Sequence, residues 1–162
     1  MRNEARDFAI IAHGDQKYGE HPYSVHLDEV ADIASEYGEL AEVVAFLHDT
    51  VEDTETTEEE IRGTFGPLVA SCVSILSDEP GEARKIRKTA TYKKMALIKG
   101  KEELALLVKA ADRLANMRAC IRIKDQGFLD MYKLENTVFR ASAYRPNLCE
   151  NIWVEIDKIQ KV

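Results

Sequence analysis

Leu40-Ala41-Glu42-Val43-Val44-Ala45-Phe46-Leu47-His48-Asp49-Thr50-Val51-Glu52-Asp53-Thr54 is the stretch whose reading decides the fold. Leu40, Val43, Val44 and Leu47 recur at i, i+3, i+4 and i+7, the period of a helix with one apolar stripe turned to a core. Working round the helix, Ala41, Ala45, His48 and Glu52 fall on one flank of that stripe, with Asp49 just beyond. Small alanines beneath large polar groups leave room for an ion. A helix that buries one stripe needs other helices to cover it, and the chain supplies them.

Four prolines and eight glycines are few for 162 residues, and strand-like alternation is hard to find. Periodic segments follow one another over residues 3–12, 24–37, 40–51, 57–63, 66–77, 82–98, 102–123, 128–143 and 147–160. The pattern predicts an all-α bundle of about nine helices, with residues 1–162 forming one domain of ordinary size. Gly38, Gly66, Gly100 and Gly127 punctuate the turns, Thr57 and Glu60 have the spacing of a capping box, and Ser24 is a plausible N-cap.

The long segment 102–123 repeats the arrangement seen around His48. Leu104, Leu107, Val108, Ala111 and Leu114 make its stripe, while Ala105, Lys109, Asp112 and Asn116 share a flank. An aspartate beside an apolar stripe must be paired, hydrogen-bonded or metal-bound, because a buried lone carboxylate is very costly. The bland partner for it is Arg113 or Arg118. His26 stands just inside the helix that follows Pro22-Tyr23-Ser24. Taken singly, each of these residues has a bland role: a polar helix end meeting water, an ion pair, a structural histidine. Together, His26, His48, Asp49 and Asp112 are two imidazoles and two carboxylates, a mixed set that suits Mn²⁺, Fe²⁺ or Zn²⁺ and leaves positions open for water.

The order of a histidine, a His-Asp pair and a distant aspartate resembles that of the HD metal-dependent phosphohydrolases. Gly19-Glu20-His21-Pro22-Tyr23-Ser24-Val25-His26, the run His48 to Thr54, and Val108-Lys109-Ala110-Ala111-Asp112-Arg113-Leu114-Ala115-Asn116-Met117-Arg118 are similar to the hydrolase domain of RelA/SpoT enzymes and the free-standing small alarmone hydrolases. The likeness runs from about Ala5 to Phe139. It implies an HD-domain fold in which His26, His48, Asp49 and Asp112 bind one Mn²⁺, Glu52 and Asp53 position and deprotonate the attacking water, and Asn116 contacts the nucleotide. The reaction implied is removal of the 3′-pyrophosphate from a (p)ppGpp-like alarmone.

Two departures bear on the substrate. The family loop before the Pro-Tyr usually holds an arginine that stacks on guanine and is usually one residue longer. Here it reads Asp15-Gln16-Lys17-Tyr18-Gly19, which leaves base recognition to Lys17 or Tyr18. Leu27 and Ala119 also stand where the family often has proline and threonine. Lys17, Lys109, Arg113 and Arg118 are the expected phosphate holders, with bracing of the metal carboxylates as the other role open to Arg113. The same chemistry on another nucleotide, or nucleotide binding without cleavage, are the alternatives.

The formal net charge of −7 argues against non-specific nucleic-acid binding. It hides a basic stretch, Arg84 to Lys101, without an acidic residue. That stretch is either a steering patch for a polyphosphorylated ligand, a solvated face, or a contact with the acidic Glu52–Glu60 segment of a second subunit, so self-association is left open. No apolar run approaches a membrane span and the N-terminus does not read as a signal peptide. With Cys72, Cys120 and Cys149 few and far apart, a cytoplasmic protein with reduced thiols is expected.

Overall fold

The computed structural model describes residues 1–162. Helix α1 (Arg2–His13) leads into two short strands, β1 (Lys17–Tyr18) and β2 (His21–Pro22), and then α2 (Ser24–Ala34). A 3-10 turn at Ser35–Tyr37 precedes α3 (Glu39–Leu47), the single-turn α4 (Thr50–Asp53), α5 (Glu58–Phe65) and α6 (Pro67–Leu76). Then come α7 (Arg84–Ala96), a 3-10 turn at Gly100–Glu102, α8 (Glu103–Ile123), α9 (Gln126–Ala143) and α10 (Glu150–Gln160). All nine periodic segments are helical. No helix is long and apolar enough to cross a membrane.

The structure departs from the sequence reading at three points that matter for the site. The loop before α2 is an antiparallel hairpin in which Lys17 faces Pro22 and Tyr18 faces His21, with Gly19 at φ 61° making the turn. Two residues per strand are too few to register as alternation. Second, the helix expected over 40–51 breaks at its most informative point. His48 Nδ1–H donates to the Ala45 carbonyl (2.6 Å) and Thr50 Oγ1 donates to that of Leu47 (2.7 Å). These are carbonyls that the next backbone N–H groups would need, so α3 ends at Leu47 and α4 starts afresh at Thr50. Third, the N-cap of α2 is Tyr23 rather than Ser24, and no side chain caps it. The Thr57–Glu60 capping box does form, with Thr57 Oγ1 accepting from the Glu60 N–H and Glu60 accepting from the Thr57 N–H.

Helix α8 is the axis of the molecule. It packs against α2, α3, α6, α9 and α10, and every residue from Ala105 to Ala115 is buried. Its burial therefore extends round the whole helix, beyond the apolar stripe read from the sequence, and takes in the charged Lys109, Asp112 and Arg113, as a helix surrounded by others requires. Helix α3 lies against α1, α2, α6 and α8, and α7 lies on α9. A single apolar cluster of 39 buried residues joins them. The break after α3 and the start of α2 both meet the middle of α8, which brings chain positions 26, 48–49 and 112 together.

Candidate active site

His26, His48, Asp49 and Asp112 converge. His48 Nε2 stands 2.9 Å from Asp49 Oδ2 and 3.7 Å from Asp112 Oδ1. His26 Nε2 stands 3.3 Å from Asp112 Oδ1 and 3.9 Å from Asp49 Oδ2. Ligands that share one ion through bonds of about 2.0 to 2.2 Å sit about 2.8 to 3.6 Å from one another, so the spacing is that of a ligand cage slightly open. The ligand atoms of His26, His48 and Asp49 all lie within 4.8 Å of one another.

The second layer of contacts orients these groups. With His48 Nδ1–H donating to the Ala45 carbonyl, the neutral ring presents its Nε2 lone pair to the cluster, the form a metal ligand takes, and that buried nitrogen has no hydrogen-bond partner. Ala41, Ala45 and Ala105, on the same helix flanks as these groups, are buried. Tyr23 donates its hydroxyl to Asp49 Oδ2 (2.5 Å), and Asn116 Nδ2 donates to Asp112 Oδ1 (2.6 Å). Lys109 Nζ is 3.3 Å from Asp112 Oδ2. Burial works to lower the pKa of His48, but Asp49 and Asp112 outweigh it and hold the histidine well above its ordinary value. The field at this spot calls for positive charge. A divalent ion fits it: two imidazoles, two carboxylates and an unpartnered buried nitrogen form a donor set for which protein groups alone provide no full complement.

Around the cluster lies a cavity of about 180 Å³, lined by Tyr23, His26, Asp49, Glu52, Asp53, Arg84, Lys88, Lys109, Asp112, Arg113, Asn116 and Tyr132. Glu52 accepts from the Asp78 N–H (2.9 Å). Loss of water around its carboxyl raises its pKa above the usual glutamate value, against the lowering effect of that bond. Asp53 begins one turn after Asp49 and accepts from Gln16 Nε2 (2.9 Å). Tyr18 donates to Asn116 Oδ1 (2.6 Å) and lies over the His26 ring, centroids 4.6 Å apart and planes 16° from parallel.

Three sequence expectations do not meet the cavity as foreseen. Lys17 is exposed and absent from the lining: adjacent strand residues point to opposite sides, and Tyr18 takes the inward one. Arg118 lies on another face of α8, six residues past Asp112, where it pairs with Glu155 of α10 at 3.5 Å. Arg113 reaches the lining but braces no metal carboxylate. It donates to Tyr92 Oη (2.6 Å) and Glu135 Oε2 (3.1 Å), and it lies over the rings of Phe139 and Tyr132.

The basic stretch divides. Arg84 and Lys88, one turn apart on α7, face the cavity, where Arg84 pairs with Glu135 at 3.0 Å and Lys88 with Asp78 at 2.8 Å. Burial, and then the charge of Lys109, lower the pKa of Lys88. Their i, i+4 spacing was the signal available in the sequence. Tyr23 and Gln16 stood inside the stretches singled out in the sequence without a role of their own, and nothing in the sequence marked Tyr132.

A family model described as HD domain matches residues 5–140. A guanosine-3′,5′-bis(diphosphate) 3′-pyrophosphohydrolase of Danio rerio is 35% identical over 134 residues, which are 77% of this chain and 72% of that protein. An Aquifex aeolicus protein of the same name is 33% identical over 145 residues, 87% of this chain but only 21% of its own length. The chain thus spans about a fifth of that longer relative. Among solved structures, a metazoan ortholog of SpoT, described as hydrolysing ppGpp with a role in starvation responses, superposes with a TM-score of 0.83 at 26% identity. The match covers 99% of this chain and 93% of the other. With the match to the family model running through α1 to α9 and His26, His48, Asp49 and Asp112 inside it, the chain belongs to the HD domain family.

Proposed function

We propose that the protein is a metal-dependent phosphohydrolase that removes the 3′-pyrophosphate from a (p)ppGpp-like alarmone, with Mn²⁺ held by His26, His48, Asp49 and Asp112. The observation that carries this reading is the cavity itself, which puts the ion cluster, two further carboxylates and four cationic side chains within one small space. Support comes from the solved SpoT ortholog that this chain matches along nearly its whole length.

When bound, a divalent ion lowers the pKa of a water and offsets phosphoryl charge. Glu52 and Asp53 hold that water and accept its proton, and the raised pKa of Glu52 brings it closer to neutral pH, where a general base works best. Lys109, Lys88, Arg84 and Arg113 supply positive charge to the phosphates and to the departing pyrophosphate. Asn116 and Tyr18, joined by their hydrogen bond, border the nucleoside. A cavity of about 180 Å³ is smaller than the ~300 to 1,000 Å³ of pockets that enclose a drug-sized ligand. It takes the phosphates, with Tyr132 in its lining, and leaves the base outside, against Tyr18. A cytoplasmic setting is supported by three buried free cysteines, with burial pushing the Cys72 thiol up to about 11.

A second reading, the same hydrolysis on another nucleotide, is favoured by the short hairpin that turns Lys17 away. Incubating the Mn²⁺-loaded protein with a panel of guanosine and adenosine nucleotides, and following pyrophosphate against orthophosphate release, separates the two. Pyrophosphate from 3′-pyrophosphorylated nucleotides is the expected product. Orthophosphate alone, or turnover of other phosphoesters only, overturns the first reading.

A further inference from the structure

Two residues outside the cavity act on one of its carboxylates, Gln16 directly and His13 through Gln16. His13, at the end of α1, is buried, and its Nδ1 stands 2.8 Å from Gln16 Oε1. Its other nitrogen, Nε2, is buried without a partner. An amide oxygen only accepts, so Nδ1 carries the proton and donates, which leaves Nε2 as a bare lone pair and no donor unsatisfied. The Gln16 amide is thereby fixed in one of its two orientations. With its oxygen turned to His13, its NH₂ faces Asp53 and donates to Oδ2 at 2.9 Å. The flipped amide would set its oxygen against a carboxylate.

The backbone of Gln16 is anchored on both sides. Its N–H donates to the His13 carbonyl (3.0 Å) and its carbonyl accepts from the Tyr23 N–H (3.0 Å). Tyr23 in turn stacks on the His13 ring, centroids 4.5 Å apart and planes 29° from parallel, and donates its hydroxyl to Asp49. One rigid unit of His13, Gln16 and Tyr23 thus holds two carboxylates, Asp49 and Asp53. Those two residues sit one turn apart, where the Asp53 N–H donates to the Asp49 carbonyl (2.9 Å). A free Asp53 carboxylate at the pocket mouth would sample several rotamers, and only some direct an oxygen inward.

We infer that His13 and Gln16 are positioning residues that lock the Asp53 carboxylate in the orientation needed to take a proton from the attacking water. Tyr23 ties that lock to the metal ligand Asp49. The inference rests on the role given to Asp53 above. His13 sets the amide, the amide sets the carboxylate, and neither touches the substrate.

A double-mutant cycle tests the lock. Gln16→Leu should lower kcat by ~10-fold to 100-fold, the worth of one hydrogen bond to a charged group, with KM, metal content and melting temperature nearly unchanged. In an Asp53→Asn background the same substitution should have no further effect on kcat, because its route of action is already gone. A full Gln16→Leu effect in that background, or an effect on KM alone, overturns the inference. NMR supplies a readout free of activity. The Gln16 side-chain amide resonance, assigned by its loss in Gln16→Leu, should move in both Asp53→Ala and His13→Phe. A resonance unmoved in Asp53→Ala overturns the lock whatever the substrate. Wild-type protein that hydrolyses no nucleotide removes the proposed function, and the amide resonance still judges the contact.

Discussion

Replacing Glu52 by glutamine removes a proton acceptor while keeping its shape and its bond to the Asp78 N–H. We expect kcat to fall by ~10²-fold to 10⁴-fold, the usual range for a lost general base, with metal content unchanged by elemental analysis. In the wild type the acid limb of the kcat profile should lie above the ordinary glutamate pKa, since loss of water raises the Glu52 carboxyl and only its ionised form accepts a proton. Equal kcat in the variant removes Glu52 from the mechanism. Tyr18 makes a different kind of contribution. One face of its ring is taken by His26, and the half-buried ring keeps some exposed surface with which to meet a base. Truncation to alanine should raise KM for guanine and adenine alarmones alike by ~5-fold to 150-fold, because stacking a base on an aromatic ring is worth about 1 to 3 kcal/mol. Steady-state kinetics on both nucleotides decide it, and a preference for guanine above about a thousandfold would show that recognition works through hydrogen bonds rather than stacking.

At the scale of elements, the helices were legible because each carries a 3.6-residue period, and the four ligand-type residues were legible because they sit beside those periods at 26, 48, 49 and 112. What stayed hidden has no periodic signature. The hairpin is two residues a side, and the break after Leu47 comes from side chains capturing two backbone carbonyls inside an uninterrupted pattern. Arg113 and Arg118 flank the cavity in sequence, yet their partners Glu135 and Glu155 lie on α9 and α10, which only the tertiary fold brings near. Arg145 is a further instance. It donates through Nη2 to the carbonyls of Met95, Ala96 and Ile98 at 3.1, 3.3 and 3.1 Å, adding a charged donor to the end of α7, where the Met95 carbonyl also accepts from the Ile98 N–H. Arg145→Ala should destabilise the fold by about 1.5 to 3 kcal/mol in urea titration, the range for hydrogen bonds to a charged group. Its effect on kcat should be small, because Arg84 and Lys88 stand at the opposite end of α7. An unchanged midpoint would mean that solvent caps those carbonyls equally well.

For the whole molecule, an ion held by His26, His48, Asp49 and Asp112, as proposed, would fasten α2, the α3–α4 break and α8 to one another. An ion present at a hundred times its dissociation constant stabilises by about 2.7 kcal/mol, which for a chain of this size is roughly 5 to 10 °C in melting temperature. Chelation should lower the Tm by that amount and Mn²⁺ should restore it. Asp112→Ala should abolish both the response and the bound metal, since no other group on α8 reaches the lost position; a Tm indifferent to chelation would separate the cluster from metal binding. The complete burial of α8 between Ala105 and Ala115 has a consequence for time as well as for energy. The wall that carries Lys109 and Asp112 is the centre of the folding core, so its amides exchange with solvent only when the molecule unfolds as a whole. The segment 77–83, which meets the lining through the bonds of Asp78 to Glu52 and Lys88, lies outside the helices and has few backbone hydrogen bonds to break, so we expect this rim to open on its own. Deuterium should enter the rim early and the wall last, and product release will be paced by the side of the cavity that breathes.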